Sequence, residues 1–132
     1  MANAFQTSVL TIATLFCLLT TWSSGTAPAR FAERLGLAIA NTGGYNEIRA
    51  QYAGFFLAVA VVCGASLASV VSRQAAFLVL IVVFGGLIAG RLASLALDGG
   101  AAGYGPTIRS LYLIDAVGFT LAIAALAIDK PA

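Results

Sequence analysis

The chain has 132 residues, of which 61% are hydrophobic and only 9% are charged. A soluble domain usually carries about 25% charged residues, and a mean hydropathy of +0.99 is too apolar for a surface that faces water. This composition excludes a soluble enzyme, a disordered tail and a nucleic-acid-binding protein. It favours an integral membrane protein.

Several kinds of chemistry need residues that this sequence lacks. It contains no histidine and only two cysteines, which do not form a Cys-x-x-Cys pair, and this removes the commonest ligands of zinc and haem. No Ser/His/Asp set and no glycine-rich phosphate loop can be assembled from it. We therefore expect no catalytic residue, no metal site, no cofactor and no nucleic-acid partner.

Four segments are long and apolar enough to cross a bilayer, which needs roughly 20 apolar residues in a helix. They lie at about 4–22, 48–71, 75–97 and 108–128. Because few residues remain, we expect an all-α integral membrane four-helix bundle that forms a single transmembrane domain over 1–132.

The three connections between the spans differ in length and composition. The sequence predicts a tight turn at Ser72 to Gln74 and a glycine-rich loop at 98–107. The long link between spans one and two contains PARFAERLGLAIA, which begins at Pro28. Proline suits the first position of a helix, and apolar residues recur here at helical spacing, so we predict a short interfacial helix.

The first span is interpreted as a retained helix rather than a signal peptide. The segment from Met1 to Ser8 has no lysine or arginine, although a signal peptide normally begins with basic residues. Trp22, at the other end of the span, suits the membrane interface.

Both cysteines lie within spans, at different predicted depths. At 1.5 Å per residue, Cys17 lies about 8 Å and Cys63 about 22 Å below the membrane face that carries the long link. A disulfide needs the two Cα atoms within about 7 Å of each other, so we predict two free thiols.

The orientation in the membrane stays open. One side carries two basic residues and the other carries four: Arg73 and Lys130 against Arg30, Arg34, Arg49 and Arg109. The positive-inside rule places the side with four in the cytoplasm. However, Arg49 and Arg109 lie at helix ends, and without them the two counts are equal. We expect a multi-pass protein of the bacterial inner membrane, of undetermined orientation.

Two opposite charges fall inside the third and fourth spans. Arg91 lies roughly 10 Å inside the third span and Asp115 roughly 12 Å inside the fourth. A short loop joins these antiparallel helices, so the two side chains share one depth and an ion pair is predicted. Each charge alone would cost roughly 2.5–3.5 kcal/mol or more at the bilayer centre. Tyr112 stands three residues before Asp115 on the same face and could donate its hydroxyl.

Further polar residues enter the same half of the membrane at the start of the second span. Together they predict one intramembrane polar cluster, composed of Glu47, Arg49, Tyr52, Arg91, Tyr112 and Asp115. One interpretation is a structural ion network that fixes the helix register. The other is a binding site for a small polar molecule or a lipid headgroup, or a proton path.

The stretch NEIRAQYAGFFLAVAVV, the preceding PARFAERLGL and the charged third and fourth spans resemble a known family. This is the bacterial membrane family called domain of unknown function 4345, itself similar to the DoxX-like four-helix proteins. Its most specific element here is the run of Arg49, Tyr52, Ala53 and Gly54. The family more often has a Gly-Gly pair after the tyrosine, and Ala53 departs from that pattern. The resemblance implies the architecture and transfers no catalytic residue.

Three functional hypotheses follow, in this order. The first is a non-enzymatic accessory or structural subunit, whose partners are the lipid bilayer and other membrane subunits or further copies of itself. The second is binding or transport of a small polar solute or lipid headgroup through the polar cluster. An enzyme that acts on a membrane-soluble substrate comes third, because no spacing in the sequence is specific for catalysis.

Overall fold

The computed structural model describes residues 2–128 and forms five helices over that range. They are α1 (Ala2–Thr26), α2 (Pro28–Arg34), α3 (Thr42–Leu67), α4 (Arg73–Leu97) and α5 (Pro106–Ala127). Four of them, all except α2, are long and apolar enough to cross a membrane, and no β-strand occurs in the described range. This confirms the all-α class with four candidate spans, and the chain is a multi-pass membrane protein. Lys130, used above in the charge comparison, lies outside the described residues.

The second span begins earlier than its hydropathy predicts. The predicted span covered 48–71, whereas α3 begins at Thr42, where the Asn41 side chain accepts a hydrogen bond from the Gly44 backbone N–H (3.1 Å). This cap supplies an acceptor for an otherwise unpaired N–H group of the first turn. α3 is α-helical over Thr42–Ile48 and Phe55–Leu67, and between them Arg49–Gly54 forms a π-helix.

The chain forms two compact units, each with its own internal packing. One consists of the start of α1, up to Val9, together with α4 and α5, and the other runs from Leu10 to Val71. The expectation of a single domain over 1–132 stays a prediction.

In the Leu10–Val71 unit, the later part of α1 packs against α3. The Phe16 and Phe56 rings meet edge to face at 6.3 Å between centroids. The Thr21 hydroxyl donates to the Ala53 carbonyl oxygen at 3.2 Å. Cys17 and Cys63 are both buried in this unit as free thiols, in agreement with the sequence prediction.

The predicted interfacial helix exists but is shorter than its pattern indicated. α2 begins at Pro28 and ends at Arg34, rather than continuing through the apolar residues up to position 40. Gly36 adopts a left-handed backbone conformation, with φ of +77°. This conformation stops a right-handed helix and suits glycine. The placement of α2 at a membrane interface stays a prediction.

The turn between α3 and α4 lies earlier than expected. The sequence predicted it at 72–74, but α4 already begins at Arg73. The Ser72 hydroxyl accepts a hydrogen bond from the Ala75 backbone N–H (3.2 Å) and so caps α4. Ser69 takes the left-handed conformation, with φ of 62°. The reversal therefore uses the residues before Ser72, which a hydropathy profile counts as part of the span.

In the other unit, α4 and α5 form an antiparallel hairpin that brings their backbones close together. A Cβ atom on Gly118 would lie 2.8 Å from the Phe84 ring, and one on Gly85 would lie 3.1 Å from the Phe119 ring. Each glycine thus makes room for an aromatic ring of the opposite helix. This packing sets the register in which the charged residues nearer the loop meet.

Candidate functional site

The predicted ion pair forms between α4 and α5. The Arg91 Nε–H donates to Asp115 Oδ2 at 2.5 Å. Arg91 lies six residues before the end of α4 at Leu97, so it is about 9 Å inside that helix. Only 3% of the Asp115 side chain is exposed, against 20% of the Arg91 side chain. The Asp115 carboxylate is therefore buried, whereas the Arg91 side chain is partly exposed.

Tyr112 also belongs to the group around Arg91. Its position in the sequence suggested a hydrogen bond to Asp115, but the structure shows a different one. Its hydroxyl donates to the backbone carbonyl oxygen of Arg91 at 2.9 Å, rather than to Asp115. The side chain extends across to α4 instead of along α5. Its ring lies under the guanidinium, with 5.5 Å between Arg91 Cζ and the ring centroid, which is within the range of a cation–π contact. We call Arg91, Tyr112 and Asp115 the Arg91 site.

A chain of polar contacts connects the Arg91 site to the loop between α4 and α5. The Tyr104 and Tyr112 rings stack with 6.1 Å between their centroids. The Tyr104 hydroxyl lies 3.0 Å from the Ser94 hydroxyl, and Ser94 donates to Asp98 Oδ2 at 2.6 Å. Sequence reasoning missed this extension. The spacing of Ser94 and Asp98, which lie four residues apart at the end of α4, is a signal that could have indicated part of it.

The Arg91 guanidinium has donors that make no hydrogen bond within the described range 2–128. A guanidinium carries five N–H groups, and toward the described residues the Arg91 side chain donates only through Nε. Neither Nη1 nor Nη2 makes a hydrogen bond to any residue in the range 2–128. Because the side chain is partly exposed, these two amino groups are open to a partner outside the protein.

A second arginine network lies at the opposite end of α4 and was not anticipated from the sequence. Arg73 Nη1 donates to the Asn3 carbonyl oxygen (3.1 Å) and to Gln6 Oε1 (3.3 Å), and Arg73 Nη2 donates to Thr7 Oγ1 (3.1 Å). Gln6, only 2% exposed, also donates from Nε2 to the Ala125 carbonyl oxygen at 3.0 Å. We call this group the Arg73 clamp. It ties the start of α1 to α4 and α5, and the lone glutamine in an apolar span was its sequence signal.

The remaining three residues of the predicted cluster lie in the Leu10–Val71 unit. Arg49 Nε donates to the Gly25 carbonyl oxygen at 3.3 Å, and a cation is favourable at this end of α1 because of the helix dipole. The Tyr52 ring packs on Phe31 with 4.9 Å between centroids. Glu47 is exposed and makes no hydrogen bond or ion pair with the described residues. The structure thus brings Arg91, Tyr112 and Asp115 together, and the grouping of all six stays a prediction.

The most specific family motif coincides with the π-helix. Arg49, Tyr52, Ala53 and Gly54 all lie within Arg49–Gly54. π-helical turns shift the backbone hydrogen bonding and are frequent at functional sites. Here Thr21 bonds to the Ala53 carbonyl oxygen and Arg49 bonds near the end of α1. The motif therefore has a local structural role, which is to attach α3 to the end of α1.

The chain was compared with known families, curated proteins and solved structures. A family model described as Domain of unknown function (DUF4345) matches residues 5–113. No curated protein and no solved structure matches the chain. The family match confirms the resemblance stated from the sequence, whereas the likeness to DoxX-like proteins stays a prediction. In the described range, no three His, Cys, Asp or Glu side chains are placed to hold a metal ion.

Proposed function

The chain belongs to the family described as domain of unknown function DUF4345, and we propose that it is a bacterial inner-membrane protein that binds a small polar molecule or lipid headgroup at the Arg91 site. The observation that carries the proposal is the pair of Arg91 amino groups without an acceptor among residues 2–128. The proposal includes no catalytic step and no cofactor.

The position of these amino groups favours binding over a purely structural role. A polar group in an apolar environment without a hydrogen bond costs several kcal/mol in the least favourable case. A structural brace would gain from using both amino groups on protein acceptors, as the Arg73 clamp does. The Arg91 site leaves them open inside a span. This difference supports the proposal of binding, although the accessory role came first from the sequence alone.

Mass spectrometry of the intact protein in mild detergent tests the proposal. The wild-type chain is expected to carry a co-purified molecule of defined mass. The matched variant is Arg91→Leu with Asp115→Leu, which removes both charges together and so avoids an unpaired buried ion. The bound mass should disappear from this variant. No bound species in the wild-type chain, or the same species in both chains, would contradict binding at the Arg91 site.

A second candidate, the accessory or structural subunit, is favoured by the low burial of the long helices. Between 17% and 28% of an apolar stretch of 18 residues in each helix is buried within the chain. The rest must contact lipid, further copies of the chain or other membrane subunits. Transport would also require several copies, because four helices form a pathway alone only with difficulty.

Affinity purification from membranes in mild detergent tests the second candidate. A tagged chain that acts as a subunit should recover the same membrane protein in repeated preparations and migrate with it on native gels. The double variant Arg91→Leu, Asp115→Leu should recover that protein equally well if the Arg91 site is not the contact. A chain that migrates alone in all preparations would count against the accessory role.

A further inference from the structure

The Arg91 amino groups, which have no acceptor among residues 2–128, are neighbours of polar groups that are already paired. Ser94 and Tyr104 bond to each other, Asp98 accepts from Ser94, and Tyr112 donates to the Arg91 carbonyl oxygen. Within the α4–α5 hairpin, a ligand would therefore find its hydrogen-bond donors at Arg91 Nη1 and Nη2. Donors of this kind require acceptor atoms on the ligand.

The charge balance of the Arg91 site determines which kind of acceptor fits. Asp115 already neutralises Arg91 and is almost fully enclosed, with 3% of its side chain exposed. An anionic ligand would add a second negative charge close to this carboxylate, in surroundings where charges interact more strongly than in water. A neutral acceptor leaves the pair balanced. The site therefore fits a carbonyl oxygen better than a phosphate or a free carboxylate.

The depth of Arg91 indicates which carbonyl groups can reach it. α4 has 25 residues, so it is about 37 Å long and extends a few Å beyond each side of a hydrocarbon core of about 30 Å. The Arg91 backbone then lies about 5 Å inside the hydrocarbon boundary. Because Asp115 holds the side chain at Nε, the amino groups stay near this depth, where local thinning of the bilayer can bring polar lipid groups to a charge. The ester carbonyls of glycerolipids are the first acceptors above the hydrocarbon chains.

We infer that the Arg91 amino groups hold the ester carbonyl oxygens of a glycerolipid, with the lipid lying against the α4–α5 hairpin at the Tyr112 end of the pair. The inference rests on the proposed binding function and names its ligand class. Asp115 acts here as a positioning residue, because it holds the guanidinium through Nε and leaves the two amino groups without a bond among residues 2–128.

Three defined lipids test the inference on the full-length chain in detergent. The first is an ester-linked dioleoyl phosphatidylcholine, the second its ether-linked analogue with the same headgroup, and the third dioleoylglycerol, which has ester carbonyls but no phosphate. Bound lipid is measured by mass spectrometry of the intact complex. The ester phospholipid and dioleoylglycerol should both bind. The ether analogue should bind at least about tenfold more weakly, because it lacks the carbonyl acceptors of two charge-assisted hydrogen bonds.

Variants separate the Arg91 site from general lipid association. Arg91→Leu with Asp115→Leu should bind the ester and ether lipids equally weakly. If this variant does not fold, Arg91→Lys serves instead, because lysine can still pair with Asp115 but lacks the planar fork of donors, and it should lose the preference for ester over ether. Arg109→Leu is the control: Arg109 is an exposed arginine near the start of α5, and its replacement should leave the preference intact.

The possible results distinguish a failure of the lipid inference from a failure of the proposed binding function. Equal binding of the ester and ether phospholipids with no binding of dioleoylglycerol would assign the site to phosphate and overturn the inference. An ester preference that persists in the Arg91 variants would also overturn it. In either case, a co-purified molecule that is lost from the Arg91 variants would still support the proposed function. If no molecule depends on Arg91, the proposed function falls as well.

Discussion

The two arginines of α4 differ in how the protein pairs their hydrogen-bond donors and their charge. Arg73, the first residue of the helix, directs both of its amino groups to acceptors at the start of α1, and none of the described acceptors is charged. Arg91, about 9 Å inside the other end, pairs its charge with Asp115 and leaves both amino groups without an acceptor among residues 2–128. Arg73 thus bonds both amino groups within the protein, whereas Arg91 balances its charge with Asp115.

Depth in the membrane explains this difference. At the end of a span, water and headgroups screen a charge, so Arg73 needs no carboxylate and its hydrogen bonds can organise the protein. Deeper in the span, an isolated charge is costly. The charge of Arg91 is therefore neutralised by Asp115, even though its amino groups are left without protein acceptors among residues 2–128. The donors that remain at Arg91 are then available to a ligand. The Arg73 clamp is thus structural, whereas the Arg91 site is the candidate for binding.

The largest expected effect comes from breaking the charge balance at the Arg91 site. Asp115→Leu leaves a cation inside the span without its partner, so we expect the free energy of unfolding to fall by about 3–5 kcal/mol. Unfolding by SDS titration in mixed micelles measures this change. Adding Arg91→Leu should recover most of the loss, because no charge is then left unpaired. A double variant as unstable as Asp115→Leu would show that charge balance is not what matters.

A smaller effect is expected from the Arg73 clamp, where no described charge pair is broken. Gln6→Leu removes the bond to the Ala125 carbonyl oxygen and one acceptor of Arg73. Hydrogen bonds between membrane helices contribute about 0.6 kcal/mol each on average, so the free energy of unfolding should fall by about 1 kcal/mol. Gln74→Leu, an exposed glutamine beside Arg73, is the matched control and should change little. A loss at Gln6 as large as that at Asp115 would remove the contrast between the two arginines.

The smallest effect is expected at Tyr112. Tyr112→Phe deletes only the hydroxyl that donates to the Arg91 carbonyl oxygen and keeps the ring under the guanidinium. We expect a loss of about 0.6 kcal/mol in the free energy of unfolding, measured by the same titration. Tyr45→Phe, at an exposed tyrosine, provides the comparison and should lie within error of the wild-type value. A loss of several kcal/mol would mean that the hydroxyl stabilises the Asp115 carboxylate, as the sequence suggested.

The sequence predicted the features of this protein that depend on hydropathy and on helical spacing. The four spans follow from the length of apolar runs, and the Arg91–Asp115 pair follows from two opposite charges at similar distances from a short loop. Both depend only on the rise per residue and on the cost of charge in lipid.

The features that the sequence did not predict depend on contacts between distant segments or on local backbone geometry. The Arg73 clamp joins residues 3–7 to residue 73, and no local sequence pattern predicts a contact between segments so far apart in the chain. The π-helix at Arg49–Gly54 has no hydropathy signal. The early end of α2 depends on the left-handed conformation of Gly36. The direction of the Tyr112 hydroxyl follows from how closely α4 and α5 approach.

The most direct test of the account exchanges the two charges of the Arg91 site. Arg91→Asp with Asp115→Arg keeps an ion pair at the same depth but moves the guanidinium from α4 to α5, so its amino groups no longer face the same way. Unfolding and lipid retention are measured on the same purified chain. We predict a free energy of unfolding close to the wild-type value together with loss of the bound lipid. Wild-type stability with the lipid retained would contradict the account, because the pair would then serve only as a brace.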